Sequence, residues 1–146
     1  MVKIRRMLVI SHIGVGLGAM AGGLCAITDP LSPMGMPLEA LEHSPFNSFL
    51  IPGLILFGLI GVGNLACALL YRVKCRCQGY ASSVVGWALS IWIIVQCIML
   101  QAVVFLHVLF FLIGVFQAVL AASILLENRQ FPANVVSALL HRGKTP

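Results

Sequence analysis

The stretch from Cys77 to Leu126 decides the fold: CQGYASSVVG WALSIWIIVQ CIMLQAVVFL HVLFFLIGVF QAVLAASILL contains no Asp, Glu, Lys or Arg. As one helix rising about 1.5 Å per residue it would reach about 75 Å, whereas the hydrocarbon core of a bilayer is about 30 Å thick. The stretch must therefore fold back as a helical hairpin. We place its turn around residues 99–102, next to the least apolar point, although no Gly or Pro marks it.

Two further charge-free stretches precede this hairpin in the sequence, one between Arg6 and Asp29 and one between Glu42 and Arg72. Charged side chains are costly at the bilayer centre, and a spanning helix needs about 20 apolar residues. The sequence therefore predicts an all-α membrane protein, a single domain with four transmembrane helices arranged as two hairpins. We expect spans at about 7–28, 49–71, 80–99 and 103–126, an outer loop at 28–48, an inner loop at 72–79 and an inner tail at 127–146.

The composition excludes the other broad classes of protein. Of the 146 residues, 60% are hydrophobic and only 9% are charged, whereas a soluble domain carries about 25% charged residues. Five Cys residues are an odd number for a secreted disulfide scaffold. The high hydrophobicity also excludes intrinsic disorder.

The basic residues predict the orientation, since all nine fall on the side of the two termini and the 72–79 loop, while three of the four acids fall on the other side. By the positive-inside rule both termini are cytoplasmic. These basic residues would contact anionic lipid headgroups, and their division among short segments argues against a nucleic-acid partner. They are Lys3, Arg5, Arg6, Arg72, Lys74, Arg76, Arg129, Arg142 and Lys144.

A cleavable signal peptide is the alternative for the first span, because a basic start precedes an apolar run and the small-x-small site at residues 19–21. The apolar run nevertheless continues to Ile27, which is full spanning length. We therefore expect a retained transmembrane helix.

Small and polar residues within the spans predict how the helices pack. Gly14, Gly18 and Gly22 form a small-xxx-small stripe, which favours close helix packing inside the bundle or, alternatively, a homodimer seam. Asn64 and Gln117 lie at similar depth, and we expect their amides to pair. Gln96 and His107 lie near the outer turn and would pair likewise.

The outer rim is where several polar groups converge, and we predict a ligand-binding site there from His107, Gln96, Gln101 and His43. Competing interpretations are a copper site at Met34, Met36 and His43 and a thiol-redox site at Cys25 and Cys97, which lack the usual C-x-x-C spacing. A haem is disfavoured because His12 and His107 lie near opposite surfaces. The sequence predicts no catalytic residue, no metal and no cofactor.

On the inner side, Cys75-x-Cys77 lies among basic residues, which lower the pKa of a thiol and make it reactive; the alternative is that the pair is incidental. No predicted span contains an ionisable Asp, Glu, Lys or Arg, which argues against an ion-driven transporter. Phosphate-binding loops and hydrolase or zinc-protease signatures are also missing from the sequence.

Several stretches resemble a set of small bacterial four-helix membrane proteins: residues 33–37, 44–46, 49–54 and 61–65, and the region from Gln96 to His107 with the following span. The resemblance covers about residues 5–128. It implies this topology and a bacterial cytoplasmic (inner) membrane, and it implies no activity and no functional residues.

Three functional hypotheses follow. The first is a non-enzymatic subunit, scaffold or accessory of a membrane assembly, either a homo-oligomer or a larger complex. The second is a binding or transport module for a small apolar or lipid-like ligand with its mouth at the outer rim, which an open cavity reaching His107 would favour. The third is a membrane thiol-redox protein, which needs Cys25 and Cys97 within disulfide reach.

Overall fold

The computed structural model describes residues 2–73 and 77–128, and within them four long helices. Each is long and apolar enough to cross a membrane, which supports a multi-pass membrane protein. The prediction of an all-helical chain with four helices of membrane-spanning length is thereby confirmed. The helices are α1 (Val2–Thr28), α2 (Leu50–Arg72), α3 (Gln78–Leu100) and α4 (Phe105–Glu127). Cys75 and most of the predicted inner tail, residues 129–146, lie outside the described residues.

The bundle has two distinct ends, each fixed by a small apolar cluster. At the terminal end, Leu8 near the start of α1 packs with Tyr71 at the end of α2 and Ile124 at the end of α4. At the opposite end, which we call the loop end, Ala26 packs with Phe49 and Met99 and with Leu41 of the Thr28–Ser48 segment. Adjacent helices therefore run antiparallel.

α2 contains a wider, π-helical segment, Ile55–Val62, between α-helical ends at Leu50–Leu54 and Gly63–Arg72. Pro52 lies in the first turn, where its missing N–H costs no intrahelical hydrogen bond. π-Helical segments are rare and occur often at functional sites.

The closest backbone approaches of α1 to α2 are at Gly16 and Gly23. A Cβ atom on Gly16 would lie 3.1 Å from the Gly61 carbonyl oxygen, and one on Gly23 would lie 2.8 Å from the Gly53 carbonyl oxygen. Gly14, by contrast, is exposed with open space around it. In the expected stripe of Gly14, Gly18 and Gly22, a Cβ on Gly18 would meet Phe110 at 3.6 Å and one on Gly22 would meet Leu56 at 3.5 Å, which are ordinary contacts. The homodimer seam stays a prediction.

α3 and α4 also form a closely packed pair of helices, as α1 and α2 do, whereas α1 and α4 contact each other much less. A Cβ on Gly86 would lie 2.9 Å from the backbone nitrogen of Ala118 and 3.0 Å from the Gly114 carbonyl oxygen. The two backbones therefore touch at this level. The looser contact between α1 and α4 leaves space between them at the loop end.

The Thr28–Ser48 segment folds over the loop end through two 3₁₀ turns, Pro33–Gly35 and Leu38–Leu41. The second of these turns buries Leu41 in the loop-end cluster. Met34 (φ 52°) and Gly35 (φ 81°) adopt left-handed backbone conformations that reverse the chain.

Candidate functional site

A buried polar cluster joins all four helices in the terminal half of the bundle. His12 of α1 is fully buried, and its Nδ1 lies 2.8 Å from Asn64 Oδ1 of α2. Its Nε2 lies 2.9 Å from Ser82 Oγ of α3, and this hydroxyl lies 3.2 Å from the Tyr71 hydroxyl. The Gln117 amide of α4 completes the set. The cluster thus uses both ring nitrogens of His12.

The hydrogen bonds of Asn64 fix the proton on His12. Asn64 Nδ2 donates to the Ile60 carbonyl at 2.8 Å, so the oxygen of this amide faces His12. A carbonyl oxygen accepts only, and His12 Nδ1 therefore carries a hydrogen and donates it.

Asn64 and Gln117, the two amides expected to pair, are in contact: Gln117 Nε2 donates to Asn64 Oδ1 at 3.2 Å. The same nitrogen is 3.3 Å from Ser11 Oγ. Both amides are fully buried, and Gln117 Oε1 has no hydrogen-bond partner in the described part of the chain. Nearly every polar group here is satisfied from within, so the cluster ties the four helices together.

The sequence analysis did not include His12 and Ser82 in this cluster. The depth counting that pairs Asn64 with Gln117 also carries the missed signal, because His12, Ser82 and Tyr71 all lie within about two or three turns of the terminal ends of their helices. Polar side chains at one depth in different spans are candidates for mutual contact.

An apolar cavity of about 450 Å³ opens in the loop half, between α1 and α4 and beneath Met34, Met36 and Ala40. Its volume lies within the range of small-molecule sites. Gly18 and Gly22 line its α1 wall, where the missing side chains leave room. The cavity opens sideways between the helices, because lining residues on both sides of the opening are exposed. These residues are Gly18, Ala102, Val104 and Leu106.

Two polar side chains line this cavity, Gln96 of α3 and His107 of α4. His107 Nδ1 accepts a hydrogen bond from the Val104 backbone N–H at 3.3 Å, which caps the start of α4. An accepting nitrogen carries no hydrogen, so the neutral ring has its proton on Nε2. His107 and His12 are therefore opposite tautomers.

The other predicted rim residues are placed differently. Gln96 and His107 line one cavity but form no hydrogen bond to each other in the described chain. Gln101 ends α3 in a left-handed conformation, and its side chain donates to the Ile98 carbonyl. It lines a second groove of about 500 Å³, between α3 and α4, which also reaches His107. His43 is exposed and lines neither space.

The structure also locates the residues of the competing hypotheses. Cys25 and Cys97 are both free thiols. Within residues 2–73 and 77–128, no group of three or more His, Cys, Asp or Glu side chains is arranged to hold a metal ion. Met34 and Met36 belong to the lining of the apolar cavity.

Comparison of the chain with protein-family models, with curated proteins and with solved structures found no match.

Proposed function

We propose that this protein is a binding module for a small apolar or lipid-like molecule, which occupies the loop-half cavity. The observation that carries the proposal is the cavity itself: about 450 Å³, apolar except for Gln96 and His107, and open sideways. A ligand dissolved in a bilayer would enter between α1 and α4 without passing through water.

The shape of the cavity favours a small ligand over a partner helix. Met34, Met36 and Ala40 cover it at the loop end. Ile60 and Leu89, which are almost wholly buried, close its other end. A transmembrane helix is about 30 Å long and needs a groove that continues along the bundle. A molecule shorter than a helix fits a space closed at both ends.

We also propose that the terminal end faces the cytoplasm and that the membrane is a bacterial cytoplasmic one. Arg5, Arg6 and Arg72 lie at the terminal end, whereas Asp29, Glu39 and Glu42 lie at the loop end. The positive-inside rule supports this orientation, which puts the cavity in the outer leaflet. Cysteine accessibility from either side of sealed vesicles, with single Cys residues at positions 43 and 3, tests it.

The binding experiment uses the full chain in detergent and a long-chain hydrocarbon that carries a photoactivatable diazirine. We expect crosslinks at cavity-lining residues such as Phe110, and we expect excess unlabelled hydrocarbon to compete them away. Gly18→Leu should reduce the competable labelling by about fivefold or more, because a packing clash of about 1–3 kcal/mol corresponds to at least that factor. A Cβ on Gly18 meets Phe110 at an ordinary 3.6 Å, so the variant should still fold.

Gly14→Leu is the matched control, because it places the same side chain one turn earlier, at an exposed position outside the cavity. Its labelling should stay within about twofold of the parent chain. Labelling spread over the exposed faces of all four helices, without competition and without an effect of Gly18→Leu, would overturn the proposal.

The assembly subunit and the thiol-redox protein stay predictions from the sequence. Gly14 and Gly18 are exposed on α1, but an exposed row of small residues does not by itself identify a partner. Native mass spectrometry in mild detergent tests the first, since an isolated monomer would count against it. Loss of the free thiols of Cys25 and Cys97 together under mild oxidation would favour the second.

A further inference from the structure

The cavity contains polar groups but no full charge. Among its lining residues in the described chain there is no Lys, Arg, Asp or Glu. An isolated carboxylate or ammonium group taken into such surroundings loses its hydration without gaining a partner, which is costly. A charged headgroup is therefore excluded from the interior of the cavity.

His107, which lines both this cavity and the second groove, has a hydrogen-bond donor free for a ligand. The Val104 N–H occupies Nδ1, and the ring hydrogen on Nε2 is not donated to any other described residue. Moving the ring hydrogen from Nε2 to Nδ1 would break the cap at the start of α4, so the cap favours the tautomer with the donor on Nε2.

Gln96 adds an uncommitted amide on the facing helix. Its side chain forms no hydrogen bond with any other residue of the described chain, and it lines both the main cavity and a smaller one of about 140 Å³ next to Phe49. The amide carries a donor and an acceptor. A ligand group with lone pairs and no hydrogen of its own would find donors on both helices.

We infer that the bound molecule is an uncharged lipid-like compound whose polar group is a hydrogen-bond acceptor of the carbonyl type, with His107 Nε2–H as its donor. This inference rests on the proposed function. It adds that the cavity selects by polar group as well as by apolar shape. His107 acts as a specificity residue.

The experiment compares three photoactivatable probes that share one alkyl chain and diazirine and differ at one end: a methyl ketone, a carboxylate and a plain hydrocarbon. In the parent chain, competable labelling of the cavity should favour the ketone over the hydrocarbon by about fivefold, the value of one net hydrogen bond. The carboxylate should label less than the hydrocarbon.

The ratio of ketone to hydrocarbon labelling separates recognition from folding. His107→Phe should bring the ratio to about one while the hydrocarbon still labels. His107→Gln should restore part of the preference, because a Gln at this position keeps both a cap for the Val104 N–H and a donor. Equal loss of both probes in His107→Phe would mean that the residue acts through folding alone, and it would overturn the assignment.

The outcomes for the two proposals are distinct. Cavity labelling by the hydrocarbon and the ketone to the same extent in the parent chain would leave the binding module standing and overturn the acceptor-specific ligand. Stronger labelling by the carboxylate probe than by the ketone probe would also leave the binding module standing and overturn the acceptor-specific ligand. Failure of all three probes to label the cavity competably would overturn both proposals.

Discussion

Each half of the bundle contains one histidine, and the two histidines differ in how many of their ring nitrogens are hydrogen-bonded within the protein. In the terminal half, His12 is fully buried and both of its ring nitrogens are hydrogen-bonded within the protein. In the loop half, His107 is partly exposed and commits only Nδ1. Ile60 separates the halves: its side chain lines the cavity, and its carbonyl accepts the Asn64 amide. A satisfied polar group fastens helices together, whereas an unsatisfied one in an open space is available to a ligand.

The largest expected effect concerns the close packing of α1 against α2. Gly16→Leu should lower the free energy of unfolding by about 3 kcal/mol, since its Cβ would lie 2.8 Å from Leu65 and 3.1 Å from the Gly61 carbonyl oxygen. Gly14→Leu, two residues away on the opposite face, should change it by less than about 0.5 kcal/mol. SDS titration in mixed micelles measures both. Equal losses would show that the α1–α2 contact is not the one described.

A second comparison substitutes one amide in each half. Asn64→Leu should lower the free energy of unfolding by about 2 kcal/mol, because His12 Nδ1–H loses its acceptor and Gln117 Nε2 loses one of its two acceptors. Gln96→Leu should lower it by less than about 0.5 kcal/mol, since the Gln96 side chain has no partner in the described chain. The same SDS titration applies. A larger loss for Gln96→Leu would reverse the assignment of structural and binding roles.

A smaller effect is expected in the segment that covers the cavity. Gly35→Ala should cost about 1 kcal/mol, because Gly35 has a φ of 81° and a Cβ is disfavoured in that conformation whatever the space around it. Gly14→Ala is the control, since helical Gly14 also has open space and an Ala there should be neutral or slightly stabilising. If Gly35→Ala proved stabilising, the chain reversal at Met34 and Gly35 would be wrong.

The smallest intervention leaves the sequence unchanged. Nitrogen-15 NMR of histidine-labelled protein should show two opposite tautomers, with the hydrogen on Nδ1 in His12 and on Nε2 in His107. His107→Phe and His12→Phe assign the signals. Finding the same tautomer at both residues would remove the difference between a structural and a ligand-facing histidine.

The sequence was a reliable guide to depth along the helices and a poor guide to rotation about them. Depth counting brings Asn64 and Gln117 to one level, and there they touch. The sequence indicates a stripe of Gly14, Gly18 and Gly22 as the packing face or a homodimer seam, whereas the closest backbone approaches of α1 are at Gly16 and Gly23. Polar residues mark depth against a membrane, whereas lipid-facing and protein-facing surfaces of a helix are equally apolar.

The cavity could be predicted only in part. His107 and Gln96 were predicted as ligand-binding residues of the outer rim, and both line the cavity. His43 is predicted with them because the outer loop is expected at the same rim, but it is exposed and lines neither of the two larger spaces. The Thr28–Ser48 segment contains four prolines, and its fold depends on the chain reversal at Met34 and Gly35. Hydrophobic periodicity does not predict such a reversal.

By itself, the sequence determined that four helices are long and apolar enough to span a membrane, because the positions of a few charges limit where apolar runs begin and end. Only the tertiary structure decided that α1 and α4 separate at the loop end and that the two histidines carry opposite tautomers. The physical reason is that an apolar run specifies burial but not neighbours. Which helices touch, and which polar groups remain unpaired, depends on backbone approaches of a few ångströms at particular glycines.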